Sequence, residues 1–217
     1  MGRHRWAVAL LSGLDGAGRR RLAGEALAVA GTLITVGIVV AGALYPDYSI
    51  HTQTISELGA TGPSGERFQP AAAVFTLAMA LSGVLVVLAG TVARSELGRR
   101  LASALVITGT GVVGVAVFPL DVGGPHAIAA LVAFAGGGLT ALFAAWETRG
   151  AIRWLSVLFG ASALVALLAF LVLGGETPLG RGGLERVVSL PIQCWTIVFG
   201  GWLIGTAHEH ADRDPRT

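Results

Sequence analysis

The sequence predicts an all-α integral membrane protein, with six transmembrane helices in a compact bundle and both termini in the cytoplasm. Three observations carry that prediction. First, six stretches contain no Asp, Glu, Lys or Arg: the residues between Glu25 and Asp47, then Phe68–Ala93, Leu101–Leu120, Val122–Trp146, Trp154–Gly175 and Val187–Ala207, each of at least 20 residues. A helix needs roughly 20 residues to cross about 30 Å of hydrocarbon, and only a helix satisfies its own backbone there. Second, 53% of the 217 residues are hydrophobic and 13% charged, with a mean hydropathy of +0.72, which leaves little room for a soluble domain. Third, counting the connections alternately puts 12 arginines on one side of the spans and 3 (Arg67, Arg181 and Arg186) on the other. The arginine-rich side is cytoplasmic by the positive-inside rule, and the protein is expected in the cell (plasma) membrane.

Taken in order, residues 1–21 are expected to lie at the cytoplasmic interface as a short amphipathic segment. Arg3, Arg5 and the apolar stretch Trp6–Leu11 imitate the start of a signal peptide, but no A-x-A cleavage site follows. The helices are predicted at 22–44, 70–93, 101–119, 126–146, 154–173 and 187–206, and 208–217 form a cytoplasmic tail. The inner links Arg94–Arg100 and Glu147–Arg153 are short, which makes their flanking helices antiparallel neighbours. Trp146 and Trp154 bracket the second link as an interfacial aromatic belt would. The outer connection Tyr45–Gln69 is the longest, and its amphipathic stretch Ile50–Leu58 suggests a surface helix or a re-entrant cap.

Gly109, Gly111 and Gly114 match the GxGxxG pattern, yet they lie inside a spanning run. Close helix packing explains them, as it does Gly136–Gly138, and such faces suit contacts within the chain or in a homo-oligomer. Pro191 should kink the sixth helix and free a carbonyl near Gln193 and Cys194. The basic pI near 9.3 follows from the topology, so no nucleic-acid partner is implied. The chain has no lysine and a single cysteine, Cys194. That excludes a Schiff-base lysine and a dithiol redox pair.

Polar residues gather at the outer ends of the helices: Asp47, His51 and Glu57 in the first loop, Asp121 after the third helix, His126 opening the fourth, and Glu185 with Arg186 opening the sixth. Two chemistries could use them. His51, Asp121 and His126, with Asp47, are the residue types that hold a divalent metal such as zinc. Glu57 or Glu185 would then serve as the catalytic base of a hydrolase acting on a lipid. Alternatively Asp47, Glu57, Asp121, His126, Glu185 and Arg186 would bind the polar headgroup of a membrane lipid by charge-assisted hydrogen bonds, without reaction. A small-solute transporter is the third reading. It expects polar groups near the midplane, where Gln193, Cys194 and scattered Ser and Thr qualify.

The stretch Asp47–Phe68, then Phe118-Pro119-Leu120-Asp121, His126 and Glu185-Arg186 together resemble a six-helix membrane family catalogued as domain of unknown function 998, over roughly residues 25–205. Ile55-Ser56-Glu57-Leu58-Gly59 is also similar to the loop of the Frag1/DRAM/Sfk1 membrane proteins, which are tied to membrane lipid handling. In this chain Glu57 stands for their aspartate, and the Pro-Glu that follows it there is absent. The resemblance implies a six-helix bundle with an outer-rim site at Glu57, Asp121, His126, Glu185 and Arg186. It implies no reaction.

Overall fold

The computed structural model describes residues 14–62 and 65–211, with side chains to Ala207. Six α-helices make up most of them: α1 Gly16–Leu44, α2 Ala71–Val92, α3 Arg99–Val117, α4 Gly124–Glu147, α5 Ala151–Leu173 and α6 Gly180–Ala211. All six are long and apolar enough to span a membrane, and there is no strand among the described residues. Two 3-10 turns, Ser56–Gly59 and Leu120–Val122, sit in the connections at one end, called here the loop end. Of the interfacial segment expected over 1–21, residues 1–13 lie outside the described chain. The remainder already belongs to α1, whose N-terminus Asp15 caps by accepting from the Gly18 N–H at 2.7 Å.

Each helix packs chiefly on its neighbours in sequence, and α1 closes on α6, so the six form a ring. Across the ring α4 also touches α6, which leaves α5 seated outside them in the groove between the two. Glycines make this close approach possible. A Cβ on Gly109 would stand 2.7 Å from the Gly83 carbonyl of α2, and one on Gly111 2.6 Å from the Ala133 N of α4. The GxGxxG run is therefore a packing face on both sides of α3. Gly136, Gly137 and Gly138 likewise meet Thr108, Ile192 and Leu164 on three different helices. These faces are spent inside the chain, whereas Gly201 and Gly205 of α6 meet nothing within 4 Å among the described residues.

Helix α6 runs unbroken across Pro191. The carbonyl deprived of its donor by a proline is the one four residues earlier, that of Val187, and not one near Gln193 and Cys194. At the end away from the loops, Leu27, Leu101, Leu105, Trp195, Phe199 and Leu203 fill the ring with large side chains. Outward, Val39, Val165, Leu168 and Val172 are exposed, an apolar belt that suits lipid.

Candidate functional site

The first loop is bolted onto α6. The helix starts at Gly180, about two turns before the predicted Val187, because the loop supplies partners for its first turns that outweigh the low helix propensity of Gly182 and Gly183. Glu185 and Arg186 consequently lie inside the helix rather than opening it. Arg186 Nη1 donates to the carbonyls of Ile50 and Gln53 at 3.2 Å and of Gly182 at 2.8 Å, and Nη2 donates to the Tyr48 hydroxyl at 2.6 Å. Its guanidinium also stacks over the Tyr48 ring. Gly182 donates its N–H to the His51 carbonyl at 3.0 Å. A Cβ there would collide with the carbonyls of Gln53 and Ile50, so only glycine lets the loop come this close.

Glu185 completes the attachment. It is 3% exposed, and its carboxylate accepts from the Ile55 N–H and, at 3.0 Å, from the Ser56 hydroxyl. The stretch Ile50–Leu58 is thus a cap and not a surface helix. Only Ser56–Gly59 is helical, as a single 3-10 turn, and Ile55 and Leu58 are buried beneath it. Burial pushes the Tyr48 hydroxyl up to about 12, with the Arg186 guanidinium pulling in the other direction.

Beside this latch lies a cavity of ≈ 350 Å³. Thr54, Ser56, Glu57, His126, Arg181 and Glu185 form its polar wall, and Phe134, Leu167 and Phe170 with neighbouring aliphatic residues form the apolar one. Leu131 of α4 and Leu171 of α5 belong to the lining and are 49% and 63% exposed, so the cavity reaches the lipid-facing surface between those helices. His126 is 3% exposed, and its Nδ1 lies 2.7 Å from the Phe118 carbonyl. A carbonyl only accepts, so Nδ1 carries a proton, and in the neutral form of the ring Nε2 keeps a lone pair. Glu57 accepts from the Thr54 hydroxyl through Oε1 at 3.2 Å, which leaves Oε2 unspent. Arg181 is exposed and lies over the Phe170 ring, 5.9 Å from its centroid, with no hydrogen bond or ion pair among the described residues.

Of the residues singled out from sequence, Glu57, His126 and Glu185 meet at this cavity, and Arg186 stands behind it as part of the latch. Asp47, His51 and Asp121 do not take part. Asp47 is exposed with a left-handed φ of 54°, a conformation aspartate tolerates in turns. His51 faces away, its Nε2 3.2 Å from the Pro178 carbonyl. Asp121 accepts from the Thr61 hydroxyl at 2.8 Å, and that bond holds its carboxyl below the usual range. The expected metal set of His51, Asp121 and His126 is therefore not assembled. Among the described residues no three His, Cys, Asp or Glu side chains come together in a way that could hold an ion.

Two features escaped the sequence reading. Arg181 was counted only as a loop charge, although the helical start of α6 carries it to the cavity. The scattered polar residues of α6 also prove to be aligned: Glu185, Ser189, Gln193 and Thr196 share one face and line a smaller chamber of ≈ 90 Å³ at the centre of the ring. Their spacing of four, four and three residues is the helical repeat, and it could have been read as such. Ser56, Ala130, Phe134 and Glu185 form the wall between chamber and cavity.

A ring of six spanning helices, capped by a latched loop and opened sideways by a partly polar cavity, defines a multi-pass membrane protein. The chain belongs to the family described as "Protein of unknown function (DUF998)", whose model matches residues 28–202. No curated protein matches it, and no solved structure does.

Proposed function

We propose that this protein binds a membrane lipid in the lateral cavity, with the headgroup against Glu57, His126 and Arg181 and the chains against α4 and α5. The observation that carries this reading is the composition of one continuous cavity: charged groups on the wall under the loop, and Leu131 and Leu171 where it meets the surrounding hydrocarbon. Its ≈ 350 Å³ falls in the range of small-molecule sites, about 300–1,000 Å³. The arginine asymmetry supports a loop end facing away from the cytoplasm of the plasma membrane, so the lipid belongs to the outer leaflet.

The test is lipid analysis of detergent-purified protein beside an Ala130→Trp variant, which fills the cavity from the wall it shares with the chamber. About one lipid per chain in the wild type, and a large loss in a variant that still elutes as folded protein, is the expected result. Equal lipid in both, washed out alike by detergent, would overturn the reading.

A further inference from the structure

The three unspent groups of the cavity define a headgroup more narrowly than "polar". Arg181 offers a cation with all its N–H donors available. Glu57 Oε2 and His126 Nε2 offer acceptors, one anionic and one a lone pair. The remaining polar atoms of that wall are already engaged: the Glu185 oxygens by Ile55 and Ser56, and the Thr54 hydroxyl by Glu57. A ligand complementary to this set carries one anionic group for the guanidinium and one N–H-bearing cation for the two acceptors.

Resting on the lipid reading above, we infer that the cavity selects a glycerophospholipid with a primary amine on its headgroup. The phosphate would sit on Arg181 and the ammonium between Glu57 and His126. Each of the alternatives leaves something unpaired. An anionic headgroup with a neutral alcohol satisfies Arg181 through the same phosphate but gives Glu57 no cation, so the Glu57 carboxylate stays uncompensated. A quaternary ammonium supplies the charge but no N–H, so neither Glu57 Oε2 nor His126 Nε2 receives a hydrogen bond. A neutral diacylglycerol fills the apolar wall alone. Hydrogen-bonding groups left unpaired discriminate more strongly than a change of shape does.

The experiment uses delipidated, detergent-purified full-length protein, with binding read by native mass spectrometry. It is offered phosphatidylethanolamine, phosphatidylcholine, phosphatidylglycerol and diacylglycerol with identical dioleoyl chains. The wild type should bind phosphatidylethanolamine at least about tenfold more tightly than the other three, since a charge-assisted hydrogen bond is worth at least that factor. Glu57→Gln should bring phosphatidylethanolamine down to the level of phosphatidylglycerol. Arg181→Gln should bring phosphatidylcholine and phosphatidylglycerol to the level of diacylglycerol and leave phosphatidylethanolamine only the advantage of its ammonium, and Arg181→Lys should retain part of the difference. Variants are compared only after their melting temperatures match the wild type.

Phosphatidylcholine or phosphatidylglycerol binding as tightly as phosphatidylethanolamine would overturn the inference, and so would a preference that survives Glu57→Gln. Failure of every lipid, diacylglycerol included, would instead overturn the lipid reading itself. Free phosphoethanolamine, added as a competitor, separates the sources of this chemistry. No displacement assigns the site to the lipid, and displacement at equal concentration overturns that assignment in favour of the soluble compound.

Discussion

Replacing Glu185 with alanine takes the acceptor from two donors at once, the Ile55 N–H and the Ser56 hydroxyl, on residues only 6% and 7% exposed. A buried donor left without a partner costs about 1–3 kcal/mol, so the pair costs about 2–6 kcal/mol. Removing a buried carboxylate returns part of its own desolvation, which favours the lower half of that range. Taking about 3 kcal/mol, a chain of this size should melt about 6–12 °C earlier by the relation for domains of 150–250 residues. Glu185→Gln keeps one carbonyl acceptor and should lose less. The assay is thermal unfolding in detergent, followed through tryptophan fluorescence. Hydrogen exchange across 48–59 runs beside it, because the reasoning places the damage in the loop. An alanine variant that melts with the wild type, with the Ile55 amide as protected as before, would refute the latch and return Glu185 to the list of ligand-binding groups.

Gly83→Ala should destabilise the bundle by about 1–3 kcal/mol, the usual range for overpacking, since its Cβ would stand 2.7 Å from the Gly109 carbonyl. Gly201→Ala, with nothing within 4 Å, should not, and equal melting temperatures for the two would contradict the packing account. Of the two tyrosine titrations read as phenolate absorbance, the one that Tyr48→Phe removes should centre near pH 12. The folded protein holds that proton more tightly than the unfolded chain does, so this stabilisation is complete below pH 10 and is lost as the pH rises through 12. A midpoint at 10 would mean that the ring is solvated. Reporter fusions should find the C-terminus and the link between α2 and α3 on the cytoplasmic side, and the 45–70 loop opposite. The reverse pattern would invert the leaflet assigned to the lipid.

The six spans were legible because hydrocarbon imposes a one-dimensional constraint: length and absence of charge suffice, and both are written in order along the chain. The start of α6 was not, because Arg181, Glu185 and Arg186 end the uncharged run without ending the helix. The membrane level of the site residues was legible for the same one-dimensional reason, whereas their azimuth was not. Arg181 and Arg186 show the difference. Five residues apart, they point about 140° away from each other around the helix. One therefore reaches Phe170 and the cavity, and the other the loop carbonyls of Ile50 and Gln53. The same holds for Asp121 and His126, neighbours in level that serve Thr61 and the cavity separately. Which of two equivalent charges meets a ligand depends on the loop conformation, and that is decided by contacts between residues more than a hundred positions apart.

The two hollow spaces can be told apart by how their polar groups are spent. Around the central chamber the hydroxyls turn back on the chain: Thr196 donates to the Ile192 carbonyl at 2.8 Å, Ser189 to Arg186 at 3.3 Å and Thr140 to Gly136 at 2.7 Å. Thr108 and Thr140 pair across α3 and α4 at 3.0 Å, and Gln193 is tied to Thr35 of α1 at 2.9 Å. Groups satisfied in this way hold helices together, and the space of ≈ 90 Å³ that they enclose is lined mainly by apolar side chains. At the lateral cavity, by contrast, Arg181, Glu57 Oε2 and His126 Nε2 stay uncommitted beside an opening to lipid. His126 is buried and Glu57 partly so, while Arg181 is exposed, so a ligand entering the cavity can reach all three. The aligned stripe on α6, although it descends into the membrane as a transport path would, therefore belongs to the scaffold, and the uncommitted groups above it belong to the ligand.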